Sequence, residues 1–192
     1  YLGFLRRQSD VASHVGVNQL LTDLVELVRV HPSLQHNEFK CEPLAEDVTV
    51  TINGTDLIQV LLNLTTNAFQ CGQQPHRVEI TGKLLALPLE PGQISDGPND
   101  RWLNMETFAN VSPLLALTVR DNGPGIPSEL LTRIFDPYFT TKSARHGTGL
   151  GLNIVQRLVK SASALLHVHT EVGVGSAFTI YLPAAQRGMG QG

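Results

Sequence analysis

Two asparagines, Asn63 and Asn67, stand four residues apart in the sequence NLTTNA. Residues at this spacing are neighbours on one side of a helix. The same side also carries Gln59, Thr66 and Gln70. An ordinary solvent-facing side is the alternative, but such a side usually carries Lys and Glu, whereas this stripe consists of uncharged groups. Amides coordinate hard cations and pair with polar ligands, so the stripe predicts a ligand-binding surface.

A second segment, DNGPGI, places Asp121 before Gly123 and Gly125 and ends at Ile126. It follows an apolar run that predicts a strand. The two glycines allow the backbone to approach a flat ligand without obstruction by Cβ atoms. An Asp-Asn-Gly turn is also common where nothing binds, so the segment alone leaves both interpretations open.

Residues 133–146 concentrate positive charge in a chain whose formal net charge is -3. Such a cluster is typical either of a solvated loop or of an anion site. The basic residues are Arg133, Lys142, Arg145 and His146, against Asp136 alone.

The segment GTGLG, residues 147–151, comes immediately before a helix predicted to begin near Leu152. Backbone N–H groups at the start of a helix, together with the helix dipole, point at whatever anion binds there. The hydroxyl of Thr148 would add a further donor to the same anion. A glycine-rich turn alone is weak evidence, so the meaning of this one depends on the other segments.

The elements that must position these groups alternate between helix and strand. Apolar residues at helical spacing predict helices at 17–30, 56–70 and 152–161. Apolar and alternating runs predict strands at 38–41, 48–52, 77–87, 114–120, 165–170 and 177–182.

Composition limits the classes of protein that remain. A chain of 192 residues suits one domain, and its net charge of -3 gives no global basic field for nucleic acid. Cys41 and Cys71 have no metal-ligand spacing, so reduced thiols and a cytoplasmic location are expected. The apolar run 57–64 is interrupted by polar residues and falls far short of the ~20 residues that cross a bilayer. We therefore expect no membrane contact by this fragment, although its parent could be anchored elsewhere.

Taken in order, the segments NLTTNA, DNGPGI, FDPYF at 135–139 and GTGLG closely resemble four motifs of one family. They are the N box, the first glycine box, the F box and the second glycine box of the catalytic and ATP-binding domain of sensor histidine kinases. The resemblance covers residues 17 to about 183 and extends to the wider group of gyrase, Hsp90 and MutL. It implies an α/β two-layer sandwich of the Bergerat type, with a mixed sheet, helices on one face, and ATP between the helices and a lid.

The resemblance also implies roles for particular residues. Asn67 would bind Mg²⁺ that bridges the ATP phosphates, and Asp121 would accept a hydrogen bond from the adenine amine and so exclude guanine. Lys142 is the preferred phosphate contact and, with Asn67, the predicted catalytic pair. The predicted nucleotide contacts are Asn63, Asn67, Asp121, Gly123, Gly125, Ile126, Lys142, Arg145, His146, Gly147, Thr148, Gly149, Leu150, Gly151 and Ser176.

Three aromatic or hydroxyl side chains near these motifs also have packing or structural interpretations. Phe135 and Phe139 are expected to pack the lid against the domain and not to touch the nucleotide. Ser176 occupies a place where the family often has a hydroxyl near adenine, but a polar residue at the start of a strand explains it equally well.

The chain divides into three parts under this interpretation. Residues 1–16 are the remnant of a preceding dimerisation and phosphotransfer helix with its connector, residues 17–184 are the catalytic domain, and residues 185–192 are a tail. An insertion at 88–113 is longer than the family usually has there. We expect a tolerated surface insertion; the alternative is a partner contact anchored by Trp102 and Phe108.

The implied function is to bind MgATP and to donate its γ-phosphate to a histidine on a separate phosphotransfer domain. That domain would belong to the same parent, expected to be a homodimer, and a response regulator would act downstream. In this family the acceptor histidine is followed by an acidic residue and then a proline. None of the chain's histidines has that context, so the acceptor is expected outside this chain. They are His14, His31, His36, His76, His146, His167 and His169.

Two alternative functions remain from the sequence. A gyrase- or MutL-type ATPase would need a glutamate as general base where this chain has Asn63, whose amide cannot accept a proton at neutral pH. A non-catalytic nucleotide-sensing module would have lost Asn67 or the lid cations, and both are present. Fast intrinsic hydrolysis is therefore not expected.

Overall fold

An eight-stranded sheet forms one layer of the structure, a computed structural model that describes residues 13–140 and 151–186. Its strands are β1 (Ser13–Gly16), β2 (Glu38–Cys41), β3 (Val48–Ile52), β4 (Arg77–Leu85), β5 (Asp100–Leu103), β6 (Leu114–Asp121), β7 (Leu165–Glu171) and β8 (Gly175–Gln186). The helices within the described residues are α1 (Val17–Arg29), α2 (Gly54–Phe69), α3 (Ser128–Leu131) and α4 (Gly151–Ser161), with a 3-10 turn at Pro91–Gln93.

The strands follow the order β1-β3-β8-β6-β4-β2, and β7 pairs with both β8 and β5. The β2–β4 pair is parallel and the other pairs between described strands are antiparallel. The sheet is therefore mixed, as predicted. The long strand β8 lies at its centre: residues 176–181 pair with β6 on one side and with β7 on the other, and residues 184–186 pair with β3.

One face of the sheet carries the helices, which confirms the predicted two-layer sandwich. The inward residues of β6, Leu115, Leu117 and Val119, are buried in the same cluster as the apolar faces of α1, α2 and α4. Helix α2 packs against α1, α4 and β6 and so occupies the middle of the helical layer. Its polar stripe consequently faces the open side of this layer, where a ligand can reach it.

Helix α2 begins two residues earlier than its apolar pattern predicts. The side chain of Asn53 accepts hydrogen bonds from the N–H groups of Thr55 at 2.9 Å and Asp56 at 3.2 Å. An asparagine at this position satisfies N–H groups that a helix start leaves without partners. The cap therefore fixes where the stripe of α2 begins.

The insertion at 88–113 contributes a strand to the sheet. Strand β5 pairs antiparallel with β7, with Asp100 opposite His169 and Leu103 opposite Leu166. Trp102 is only 8% exposed and stacks on the ring of His167 at a centroid distance of 3.9 Å. The alternative in which Trp102 is an exposed anchor for a partner is therefore wrong, and Phe108 is half-buried.

Part of the predicted organisation falls on residues beyond the described ranges. Most of the predicted remnant at 1–16 and of the tail at 185–192 lies there, whereas residues 13–16 form β1, which was not predicted. Strand β1 pairs with β3. Among the described residues, no helix is long and apolar enough to cross a membrane.

Candidate functional site

An open cleft of about 1430 Å³ lies beside the polar stripe of α2. Its other walls come from the turn after β6, from residues 130–140, from the start of α4 and from the loops that follow α1 and α2. Predicted nucleotide contacts that line it are Asn63, Asn67, Asp121, Gly125, Ile126, Gly151 and Ser176, whereas the predicted contact Gly123 does not line it. Lys142, Arg145, His146, Gly147, Thr148, Gly149 and Leu150 lie outside the described residues. The structure thus brings the N box and the first glycine box together at one cavity.

Asp121 lies at the buried floor of the cleft, as the last residue of β6. One carboxylate oxygen, Oδ1, accepts hydrogen bonds from the N–H of Gly123 at 2.9 Å and from the thiol of Cys71 at 3.6 Å. Burial raises the pKa of Asp121 above its ordinary value, while these donors act in the opposite direction. The site therefore holds one carboxylate in a fixed orientation, as an acceptor for a ligand N–H group.

Thr170 does not line the cleft but holds two residues that do, Ile126 and Ser176, a role that was not predicted. Its fully buried hydroxyl accepts a hydrogen bond from the N–H of Ile126 at 2.8 Å and shares another with the hydroxyl of Ser176 at 2.8 Å. Ser176 in turn stands opposite Asp121 in the pairing of β6 with β8. The sequence contained a signal for this role: Thr170 follows Leu166 and Val168 in the alternation of β7, so a hydroxyl stands at a position that faces the core.

The two turns at the floor approach each other so closely that they require glycine. Gly125 has φ +76°, and a Cβ atom there would lie 2.3 Å from the carbonyl oxygen of Glu171. Gly175 has φ +142°, and a Cβ atom there would lie 2.0 Å from the carbonyl oxygen of Asp121. Real Cβ contacts are not this short, so any larger residue would push the turns apart.

Asn63 lines the cleft and carries a buried amide nitrogen. Among the described residues, its Nδ2 is the buried side-chain nitrogen or oxygen without a hydrogen-bond partner. Buried polar atoms in proteins are nearly always paired. Because Asn63 and Asn67 both line the cavity, the stripe fits a polar ligand with acceptor oxygens.

The two phenylalanines of the F box behave differently. Phe135 is 1% exposed and belongs to the hydrophobic core, which confirms its packing role. Phe139 packs against that core but also lines the cleft, and the guanidinium of Arg133 lies 4.6 Å from its ring centroid. Arg133, predicted among the lid cations, is therefore held on an aromatic ring next to the cavity.

Residues 52–186 match the family described as histidine kinase-, DNA gyrase B- and HSP90-like ATPases. The chain belongs to this family. Within the family it is similar to sensor histidine kinase ZraS of Escherichia coli (strain K12), with 32% identity over 171 residues, covering 88% of this chain and 30% of ZraS. These matches identify it as a catalytic, ATP-binding domain of the sensor histidine kinase type.

Solved structures share the fold. The nucleotide-free catalytic domain of histidine kinase ThkA has a TM-score of 0.64 and 26% identity, covering 90% of this chain and 95% of that one. ThkA in complex with the response regulator protein TrrA has a TM-score of 0.61 and 22% identity, covering 90% of this chain and 41% of that one. The chain spans about a third of the length of the curated kinases that it matches.

The close approach at Gly125 can be tested against a matched glycine. Gly125→Ala and Gly173→Ala both place alanine at positive φ, but only Gly125 has backbone atoms within 4 Å of the new Cβ. We expect Gly173→Ala to cost ~1 kcal/mol of folding free energy from its φ angle alone. Gly125→Ala should cost more and should also weaken ATP binding, because its turn forms the cleft floor. Urea unfolding and nucleotide titration measure the two effects, and equal behaviour of the variants would contradict this account of the floor.

The two cysteines should differ in their reactivity. Cys71 lines the cleft, whereas Cys41 lies on β2, where burial raises its pKa to about 11. Thiolates are the reactive form, so N-ethylmaleimide should modify Cys41 slowly. Because a bound nucleotide would cover Cys71, MgADP should slow labelling of Cys71 and leave Cys41 unchanged. Mass spectrometry of the two peptides after a short pulse measures both rates. An unprotected Cys71 would lie outside the nucleotide's footprint, and equal protection of both thiols would show that the effect is not confined to the cleft. Cys71→Ser is the control that isolates the labelling of Cys41.

Proposed function

We propose that this chain binds MgATP in the cleft and donates the γ-phosphate to a histidine on a separate phosphotransfer domain of the same parent. One observation carries the proposal: buried Asp121 and the Asn63–Asn67 stripe meet at a single cavity in a member of the histidine kinase-like ATPase family. The parent would be a homodimeric sensor kinase, and this domain would work in the cytoplasm, where ATP is available.

Asp121 recognises adenine in this proposal. Its carboxylate accepts a hydrogen bond from the exocyclic amine, whereas guanine would present a carbonyl oxygen to the same group. Gly123 and Cys71 already orient the Asp121 carboxylate, so ligand binding costs little additional conformational entropy of this side chain. Ile126 and Phe178 supply apolar surface beside the ring.

Asn63 and Asn67 serve the phosphate end of the nucleotide. The Asn63 amide N–H atoms that lack a partner within the described residues suit phosphate or ribose oxygens. The amide oxygen of Asn67 fits a cation that phosphates and waters also hold, which is the oxygen shell that Mg²⁺ prefers. When bound, Mg²⁺ would neutralise phosphate charge. We assign the remaining phosphate contacts to Lys142, Arg145, His146 and the backbone of residues 147–151.

The rate of phosphoryl transfer then depends mainly on how the protein positions the γ-phosphate relative to the acceptor histidine. Phosphoryl transfer needs the attacking and leaving groups in line and the phosphate charge compensated, and it makes few covalent demands on the protein. His31 and His36 line the outer part of the cleft, but neither has the acidic residue and proline that the family's acceptor has. The acceptor in this proposal is therefore a histidine of another domain.

A response regulator is the proposed downstream partner. ThkA, which shares this fold, has been solved in complex with one. The rival ATPase function is disfavoured because Asn63 replaces the required base and because the similar curated proteins are named as sensor kinases.

Base recognition can be tested at Asp121. Asp121→Asn replaces an acceptor by a group that can present a donor, and hydrogen bonds to charged groups contribute about 1.5–3 kcal/mol. We expect ATP affinity to fall by about 10- to 100-fold and the preference for ATP over GTP to shrink. Titration calorimetry with both nucleotides measures this, and Asp23→Asn on the exposed side of α1 is the matched control. Equal affinity of the unmodified chain for ATP and GTP would refute the assignment.

Transfer itself can be tested by mixing two pieces. With radiolabelled ATP, this chain alone should not label its own histidines. Adding a matching phosphate-acceptor domain, supplied as the parent's phosphotransfer helices, should yield phosphohistidine on that domain. Transfer should be weak, because the covalent link that raises the effective concentration is missing. Asn67→Ala should abolish it, whereas Gln93→Ala, at an exposed amide side chain of the insertion, should not. Label on this chain, or transfer unaffected by Asn67→Ala, would contradict the mechanism.

A further inference from the structure

The insertion at 88–113 reaches the wall of the nucleotide cleft through Arg101. Its Nη1 donates hydrogen bonds to the carbonyl oxygens of Leu131 at 3.0 Å and Thr132 at 2.6 Å. The same guanidinium lies 5.1 Å from the ring centroid of Phe135. One side chain of the insertion thus contacts three residues of the segment that leads from the first glycine box to the F box.

The contacted segment forms part of the cavity. Leu130 and Ile134 line the cleft on either side of the two bonded carbonyls, and Phe135 anchors the segment in the core. The carbonyls lie at the end of α3, where a helix leaves acceptors without intrahelical partners and where a cation is favourable. Arg101 itself does not line the cleft, so any effect on the ligand must pass through residues 130–135.

Strand β5 fixes the position of Arg101, because hydrogen bonds connect this strand and the residue before it to β7. Asp100 Oδ1 pairs with His167 at 2.7 Å and with His169 at 2.9 Å, both on β7. Just before the strand, the carbonyl oxygen of Asn99 accepts a hydrogen bond from the N–H of Thr170 at 2.9 Å. Thr170 is the residue whose hydroxyl holds Ile126 at the cleft floor.

We propose that Arg101 is a positioning residue of the nucleotide site, and that the insertion is part of the structure that shapes the cleft. It acts by fixing the carbonyls of Leu131 and Thr132, and thereby the wall between Leu130 and Ile134. This inference rests on the proposed function, since it concerns the binding of the same nucleotide. It replaces both earlier interpretations of the insertion, the tolerated surface loop and the anchor for a partner.

Arginine is suited to this position by its shape. A planar guanidinium offers several donors and a flat face that packs on an aromatic ring, whereas lysine offers a compact charge on a flexible stem. Arg101→Lys should therefore keep part of the function, and Arg101→Met should keep only the apolar stem. Arg120→Met is the matched control, because Arg120 is an exposed arginine of the same sheet, in β6, which β7 and β8 separate from β5.

The experiment measures MgADP affinity by calorimetry for the unmodified chain and the three variants, with urea unfolding in parallel. We expect Arg101→Met to weaken MgADP binding by about 10-fold, because small displacements of positioning groups have large effects. Arg101→Lys should fall between Arg101→Met and the unmodified chain, and Arg120→Met should stay within about twofold of the latter. Phosphoryl transfer at saturating nucleotide should fall less than the affinity does, since Arg101 acts on the binding wall.

A purely structural role gives a different result. If Arg101→Met lowers the free energy of unfolding but leaves the MgADP affinity of the folded chain unchanged, the inference is overturned. If that variant does not fold, an affinity of Arg101→Lys equal to that of the unmodified chain overturns it, and a weaker one supports it. Failure of the unmodified chain to bind MgADP would overturn the proposed function and this inference with it. Equal affinities of all four proteins would overturn this inference alone.

Discussion

Close contact between two backbone segments sets the geometry of the cleft floor. Gly175 passes the carbonyl of Asp121, and Gly125 passes that of Glu171, at distances that leave no room for a Cβ atom. The close approach at Gly175 is compatible with the register of β8 against β6 that places Ser176 opposite Asp121. The hydroxyl pair of Thr170 and Ser176 and the anchored N–H of Ile126 depend on that register. A one-residue slip would reverse the facing of every side chain in the strand.

The floor also sets the electrostatics of the site. Burial raises the pKa of Asp121, so its carboxylate is protonated at a higher pH than an exposed aspartate would be. A ligand that donates an N–H group to the ionised form favours that form and lowers the pKa again. By linkage, such a ligand binds more weakly as the pH falls through the pKa of the free site. The donors from Gly123 and Cys71 act in the same direction as the ligand and keep the carboxylate available as an acceptor.

Local sequence patterns predicted the features of the structure that local interactions determine, namely the helices and the spacing of residues along them. The spacing of Asn63 and Asn67 is a local pattern, and so is the apolar periodicity of α1, α2 and α4. These helices lie within about two residues of the predicted bounds. The remaining difference arises because caps such as Asn53 set the helix ends. Contacts between distant residues were not predictable in this way. Strand β5 is four residues long and has no clear alternation, and its partner β7 lies more than sixty residues away. For the same reason the contact of Cys71 with Asp121 and the role of Thr170 appear only in three dimensions.

The edge of the sheet and the cleft form one mechanical unit. From β5 and its preceding residue, one path runs through Asn99 and Thr170 to the floor, and another runs through Arg101 to the wall. A short edge strand held only by its ladder would be free to fray without consequence for the ligand. Here two adjoining parts of residues 99–103 are bound to the two sides of the cavity, Asn99 to the floor and Arg101 to the wall, so movement of this segment would change the distance between floor and wall. In this proposal the insertion therefore helps to set the width of the site.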